Sequence, residues 1–262
     1  MSAAVADAVA AGSVAANDPA RTPVISCRGL EKWYSGVYAL KGLSLDIAPG
    51  ETLGLIGDNG AGKSTLIKIL SGLHAPDAGE VLIDGEPVDI RTPRRAMDLG
   101  IETIYQYNSL VPDLSIARNL FIGREPLKFS IGRFGVMDVA RMRREAIEAL
   151  AAVDLHLRSP DALLAELSGG QRQGVAIARA MHFKSKVLIL DEPTNHISVK
   201  ETDKVIDFVR GLPEQGVTGV FVSHNMHHVF ECCDRVVAMA RGEIVMDRRV
   251  ADTSIEDVHA FL

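Results

Sequence analysis

Gly57-Asp58-Asn59-Gly60-Ala61-Gly62-Lys63-Ser64-Thr65 decides the fold of this chain. The run Glu51 to Ile56 before it reads as a strand, and Leu66, Ile67, Ile69 and Leu70 after it recur at helical spacing. Strand, glycine loop and helix in that order is the arrangement that cradles phosphate. Glycines let backbone N–H groups curl around phosphate oxygens without side-chain obstruction, and the helix points the positive end of its dipole at the anion. Lys63 is placed to reach the β- and γ-phosphates of a nucleotide, Ser64 to supply an oxygen to Mg²⁺, and Thr65 to support the same phosphates.

Working outward, Val187-Leu188-Ile189-Leu190 is an unbroken apolar run ending in Asp191-Glu192. It reads as a buried strand whose carboxyl end delivers two acids to the site, as open α/β sheets do. Asp191 is the candidate Mg²⁺ holder, and Glu192 the candidate group that polarises an attacking water. Short apolar runs at 24–30 and 43–47 look like strands, as do 81–83 before the Asp84-Gly85 turn and 101–105. Between about residues 107 and 184 the texture turns helical, with Val139 to Leu150 and Gln171 to Phe183 as its clearest helices. β/α alternation then resumes with strands at 187–190, 217–222 and 236–239, which favours a parallel, helix-covered sheet. Ser254 and Asp257 look like the cap of a short final helix.

A chain of 262 residues with 47% hydrophobic content can bury a large core, and no run approaches the roughly 20 apolar residues of a membrane-spanning helix. A net charge of −6 argues against nucleic acid as a partner. Cys27, Cys232 and Cys233 offer neither a disulfide framework nor a zinc spacing, and fit reduced thiols in the cytoplasm. Residues 1–22 are Ala- and Val-rich, lack the basic start and apolar core of a signal peptide, and read as a disordered tail. His224, His227 and His228 are spaced so that a metal could gather them on a helix. His224 reads as a strand end off that helix, however, and no cysteine or carboxylate completes a set.

Leu167-Ser168-Gly169-Gly170-Gln171 is the signature pentapeptide of the ATP-binding cassette ATPases, and the resemblance to that family runs from about Pro23 to the end. It implies an α/β P-loop NTPase core at 23–106 and 185–262, mostly parallel with antiparallel N-terminal strands, and an α-helical subdomain inserted at 107–184. Ser168, Gly169, Gly170 and Gln171 are then expected to face the γ-phosphate of ATP held by a second subunit's loop, so that two subunits sandwich two nucleotides. The resemblance also implies that Tyr34 stacks on adenine and that Gln106 senses Mg²⁺ and water while linking the core to the insertion. His224 is implied to contact the γ-phosphate. Departures from the family pattern are Tyr107 where many relatives carry Glu, and Asn195-His196-Ile197-Ser198 where many have Ser-Ala-Leu-Asp.

Residues 199–202, 216–220 and 223–230 resemble bacterial monosaccharide importers of the ribose and fructose type, and the single set of motifs resembles their single-cassette members. The expectation is therefore a homodimeric ATPase at the cytoplasmic face of the cell membrane. It would energise sugar uptake through separate transmembrane permease subunits, with a periplasmic solute-binding protein as an indirect partner. An importer of another solute, an exporter, or a soluble cassette acting on ribosomes or DNA are the alternatives.

Overall fold

The computed structural model describes residues 22–105, 110–131, 134–195 and 197–262. The expectations placed on residues 1–21, Gln106, Tyr107 and His196 lie outside these residues. In chain order come β1 (Ile25–Tyr34), β2 (Val37–Ile47), β3 (Thr52–Ile56), α1 (Lys63–Leu70), β4 (Ala78–Ile83), β5 (Glu86–Val88), α2 (Pro93–Asp98) and β6 (Ile101–Ile104). The insertion carries α3 (Ile116–Phe121), β7 (Leu127–Ile131), β8 (Phe134–Met137), α4 (Val139–Ala152) and α5 (Gly169–His182). There follow β9 (Val187–Asp191), α6 (Val199–Arg210), β10 (Thr218–Val222), α7 (Met226–Cys232), β11 (Arg235–Ala240), β12 (Glu243–Arg249) and α8 (Ile255–His259).

Six strands form the central sheet in the order β12-β11-β3-β10-β9-β6. All neighbours are parallel except the edge strand β12, which closes antiparallel on β11. Every residue of β3 is buried, and only a central strand covered on both faces can carry so continuous an apolar run. A second, antiparallel sheet, β2-β1-β4-β5, lies over one face. Asp84 and Gly85 turn β4 into β5 with φ of 53° and 85°, the two positive values that a tight hairpin requires. One core joins the two sheets and α1 through Leu30, Leu40, Leu53, Leu55, Leu66 and Ile67. A second core covers the other face with α5, α6 and α7. Burying one Leu or Ile side chain stabilises by about 1.5–3 kcal/mol, so these two layers fix the sheet firmly.

The insertion has its own core of α3, α4 and α5, in which Met142, Ala146, Ala149 and Leu150 mark one face of α4. It is not wholly helical. Phe129 pairs with Val136 and Ile131 with Phe134 in the β7–β8 hairpin, where alternating β-formers override the surrounding helix formers. Fully buried Asn119 donates to the Val111, Leu114 and Ser115 carbonyls and accepts from Val111 N–H, which pins the chain leading into α3.

Candidate nucleotide site

The loop sits where β3 ends in the middle of the sheet. Gly57, Gly60 and Gly62 have φ of 148°, 86° and 107°. A Cβ on Gly57 would stand 2.3 Å from the Met239 carbonyl oxygen, and one on Gly62 2.8 Å from that of Ala39, so backbone on two sides compels glycine. Asp58, Asn59 and Gly60 are exposed at the rim, and buried Ala61 anchors the loop by accepting from Gly242 N–H. Lys63 is buried, and its ammonium donates to the Gly57 and Asp58 carbonyls, folding over the loop it serves. Burial lowers the Lys63 pKa, while Glu192, Asp191 and Asp58 pull it back up. Ser64 is exposed at the first turn of α1, and Thr65 is half-buried beside it.

Sheet register brings the acids to this place. Val222 at the end of β10 pairs with Leu55 on one side and Asp191 on the other. Burial raises the Asp191 pKa, the adjacent Glu192 raises it further, and Lys63 and Lys68 oppose them. Glu192 takes a left-handed φ of 51° and donates its N–H to the Val222 carbonyl. Such a conformation costs a non-glycine residue roughly 1–3 kcal/mol and persists only where the surroundings impose it. It leaves the Glu192 carboxylate, 13% exposed, at 2.9 Å from His224 Nδ1. Asp191, Glu192, His224 and Lys63 thus converge, and the two carboxylates together with the Ser64 hydroxyl are oxygen ligands of the kind Mg²⁺ prefers.

Ser168 caps α5, accepting from Gln171 N–H while Gln171 Oε1 accepts from Ser168 N–H. The helix therefore begins at Gly169, two residues earlier than its apolar face suggests. Tyr34, at the end of β1, packs edge-on to His74 with its hydroxyl buried and unpaired among the described residues. Neighbouring Trp33, 44% exposed, stacks on Tyr38.

Two supports of this site escape a reading of motifs. His228 bonds Thr194 Oγ1 at 3.1 Å through Nδ1 and Asn225 Nδ2 at 3.2 Å through Nε2, which ties the chain after Glu192 to α7. Since the amide must donate to Nε2, Nδ1 carries the proton and donates to Thr194. Buried Arg235 bonds both oxygens of Asp247, Glu51 Oε1 and the Asp46 carbonyl, bracing the start of β3. All three cysteines are buried free thiols; burial pushes Cys27 up to about 12.

Residues 40–195 match the family model described as ABC transporter. The chain belongs to the ABC transporter family. It is 44% identical to the fructose import ATP-binding protein FrcA of Rhizobium meliloti, over 93% of this chain and 95% of that one. It is 45% identical to the ribose import ATP-binding protein RbsA 1 of Rubrobacter xylanophilus, over 85% of this chain but 44% of that longer protein. A dimeric ATP-binding cassette solved in a post-hydrolysis state with ADP and Pi superposes with a TM-score of 0.73 at 27% identity, over 86% of this chain and 98% of that one. The fold is the α/β P-loop NTPase fold of ABC cassettes, and the chain is an ATP-hydrolysing subunit of that family. Among the described residues no helix is long and apolar enough to cross a membrane.

Proposed function

We propose that this ABC ATPase powers uptake of a monosaccharide through separate permease subunits, as two copies of the chain at the cytoplasmic face of the membrane, with a solute-binding protein delivering the sugar. The observation that carries the substrate class is the likeness to a fructose import protein along nearly the whole of both chains. In this reading Gly57 to Thr65 bind the phosphates and Tyr34 the base. Ser64 and Asp191, with Gln106, hold Mg²⁺, which when bound neutralises charge between the β- and γ-phosphates. Glu192 orients water and accepts its proton, while His224, bonded to Glu192, contacts the γ-phosphate. Ser168, Gly169, Gly170 and Gln171 face the nucleotide of the second copy, so ATP closes the pair and hydrolysis reopens it.

Vesicles holding the coupled permease and a binding protein, with ATP on the side of this subunit, test the reading. Monosaccharide uptake that stops with Lys63→Ala is expected. Uptake of amino acids or metal ions without a response to sugar would overturn the substrate class.

A further inference from the structure

The N-terminus of α5 already carries an anion. Glu201 Oε1 accepts from Ser168 Oγ at 3.3 Å, across 33 residues of chain. The same carboxylate accepts from Ser198 N–H at 3.0 Å and Ser198 Oγ at 2.9 Å, closing the capping box of α6. A Cβ on Gly170 would lie 2.1 Å from Glu201 Oε1, so the carboxylate rests against the second signature glycine and would have to swing aside for any larger residue there. Bonds from Ser198, Ser168 and the Gly170 amide hold the Glu201 carboxyl below its ordinary value. One negative group therefore satisfies the N-termini of two helices, of 14 and 12 residues.

These donors are the ones a trans γ-phosphate would use. Farther along, Ala176, Ile177 and Ala180 of α5 share a core with Val205, Ile206 and Val209 of α6. Along their length the two helices border a cleft of about 850 Å³, whose wall includes Gly170 and Glu201 at one end and Met181 and Phe208 at the other. None of Gly57 to Thr65 lines it, so it is not the phosphate site.

We propose that Glu201 is a resident anion of the signature helix: it holds Ser168 Oγ and lies against Gly170 until the γ-phosphate on a second chain displaces it, and so raises the ATP concentration at which two chains pair. Glu201 is a positioning residue in this account, which rests on the two-chain reading above. Glu201→Gln removes the charge but keeps the cap, because Gln serves at that helix position as well as Glu. Glu201→Asp keeps the charge and, as Asp257 does in the capping box of α8, keeps the cap, but is one methylene too short to hold Ser168 as well.

The experiment compares Glu192→Gln alone with Glu192→Gln/Glu201→Gln and Glu192→Gln/Glu201→Asp, following dimer formation by light scattering across an ATP titration. Both double variants should pair at lower ATP, by about fivefold, because in neither does a carboxylate hold Ser168 at the N-terminus of α5. Their affinity for ATP as monomers, measured with a fluorescent nucleotide, should stay at the level of Glu192→Gln alone, and their melting temperatures should fall by no more than about 2–4 °C, the cost of the lost helix-end contact. An unchanged or higher midpoint overturns the role of Glu201 and leaves the sandwich intact, as does a shift matched by an equal gain in monomer affinity. A Glu192→Gln chain that stays monomeric at saturating ATP overturns both.

Discussion

Replacing Glu192 by Gln should separate ATP binding from ATP hydrolysis. Gln keeps the size and the hydrogen-bond acceptor that meets His224 at 2.9 Å, but cannot take a proton from water. A positioned general base contributes about 10²–10⁴-fold to rate, which is roughly 3–5 kcal/mol of transition-state stabilisation. Ground-state terms run the other way. Glu192 raises the pKa of Asp191 next to it, so removing its charge makes Asp191 a better anion for Mg²⁺ and takes a negative charge away from the phosphates. The left-handed backbone at 192 is no harder for Gln than for Glu, so folding should be unaffected. Phosphate release measured beside equilibrium nucleotide binding is the assay. The expected pair of results is a rate down by at least about a hundredfold with ATP affinity equal or higher. A rate within about threefold of the parent would refute Glu192 as the base, and a parallel loss of affinity would place it in binding instead.

Lys63→Ala should weaken ATP binding about 10- to 100-fold, the effect of losing charge-assisted bonds to phosphate, and equilibrium titration reads it directly. Tyr34→Ala should cost about 1–3 kcal/mol of ATP affinity by loss of base stacking. If Trp33→Ala shows that loss in its place, the exposed neighbouring ring holds the base. Arg235→Met should destabilise the fold by about 3–5 kcal/mol, because it strands Glu51 and Asp247 in a largely buried setting. Thermal melts should fall by roughly 6–20 °C, and a drop under about 2 °C would show the network to be dispensable.

What could be read from the residues is what depends on neighbours in sequence. The phosphate loop, its flanking strand and helix, and the buried strand before Asp191 announce themselves through glycine spacing and apolar period within about ten residues. The β7–β8 hairpin did not, because Val139 to Leu150 is so clearly helical that the alternation at 127–137 is overshadowed. Arg235 reads in sequence as an ordinary charged residue at the start of a strand. Its role appears only when folding brings it to Glu51 and the Asp46 carbonyl, 184 and 189 residues away. Glu201 is an intermediate case. Ser198 followed three residues later by Glu201 is a legible capping box, but the second helix that shares this carboxylate lies beyond any local pattern.

The short stretch between Glu192 and Glu201 links the two halves of the proposed cycle. At one end Glu192 is held to Val222, and Asn195 donates back to the Glu192 carbonyl. Thr194 is tied to His228, and at the other end Ser198 is tied to Glu201. In a two-chain sandwich Glu192 serves the ATP on its own loop, whereas Ser168, held by Glu201, serves the ATP of the partner. Glu201 meets Ser168 through Oε1 and Ser198 through Oε2, so any shift of its carboxylate on release of Ser168 bears first on Ser198. Thermodynamic linkage makes the competition reciprocal: by whatever factor γ-phosphate displaces Glu201 from Ser168, Glu201 weakens binding of that same γ-phosphate. The departure from the common family sequence at Asn195 to Ser198 falls within this link, so its first expected consequence is on how strongly the two sites sense each other rather than on hydrolysis at either one.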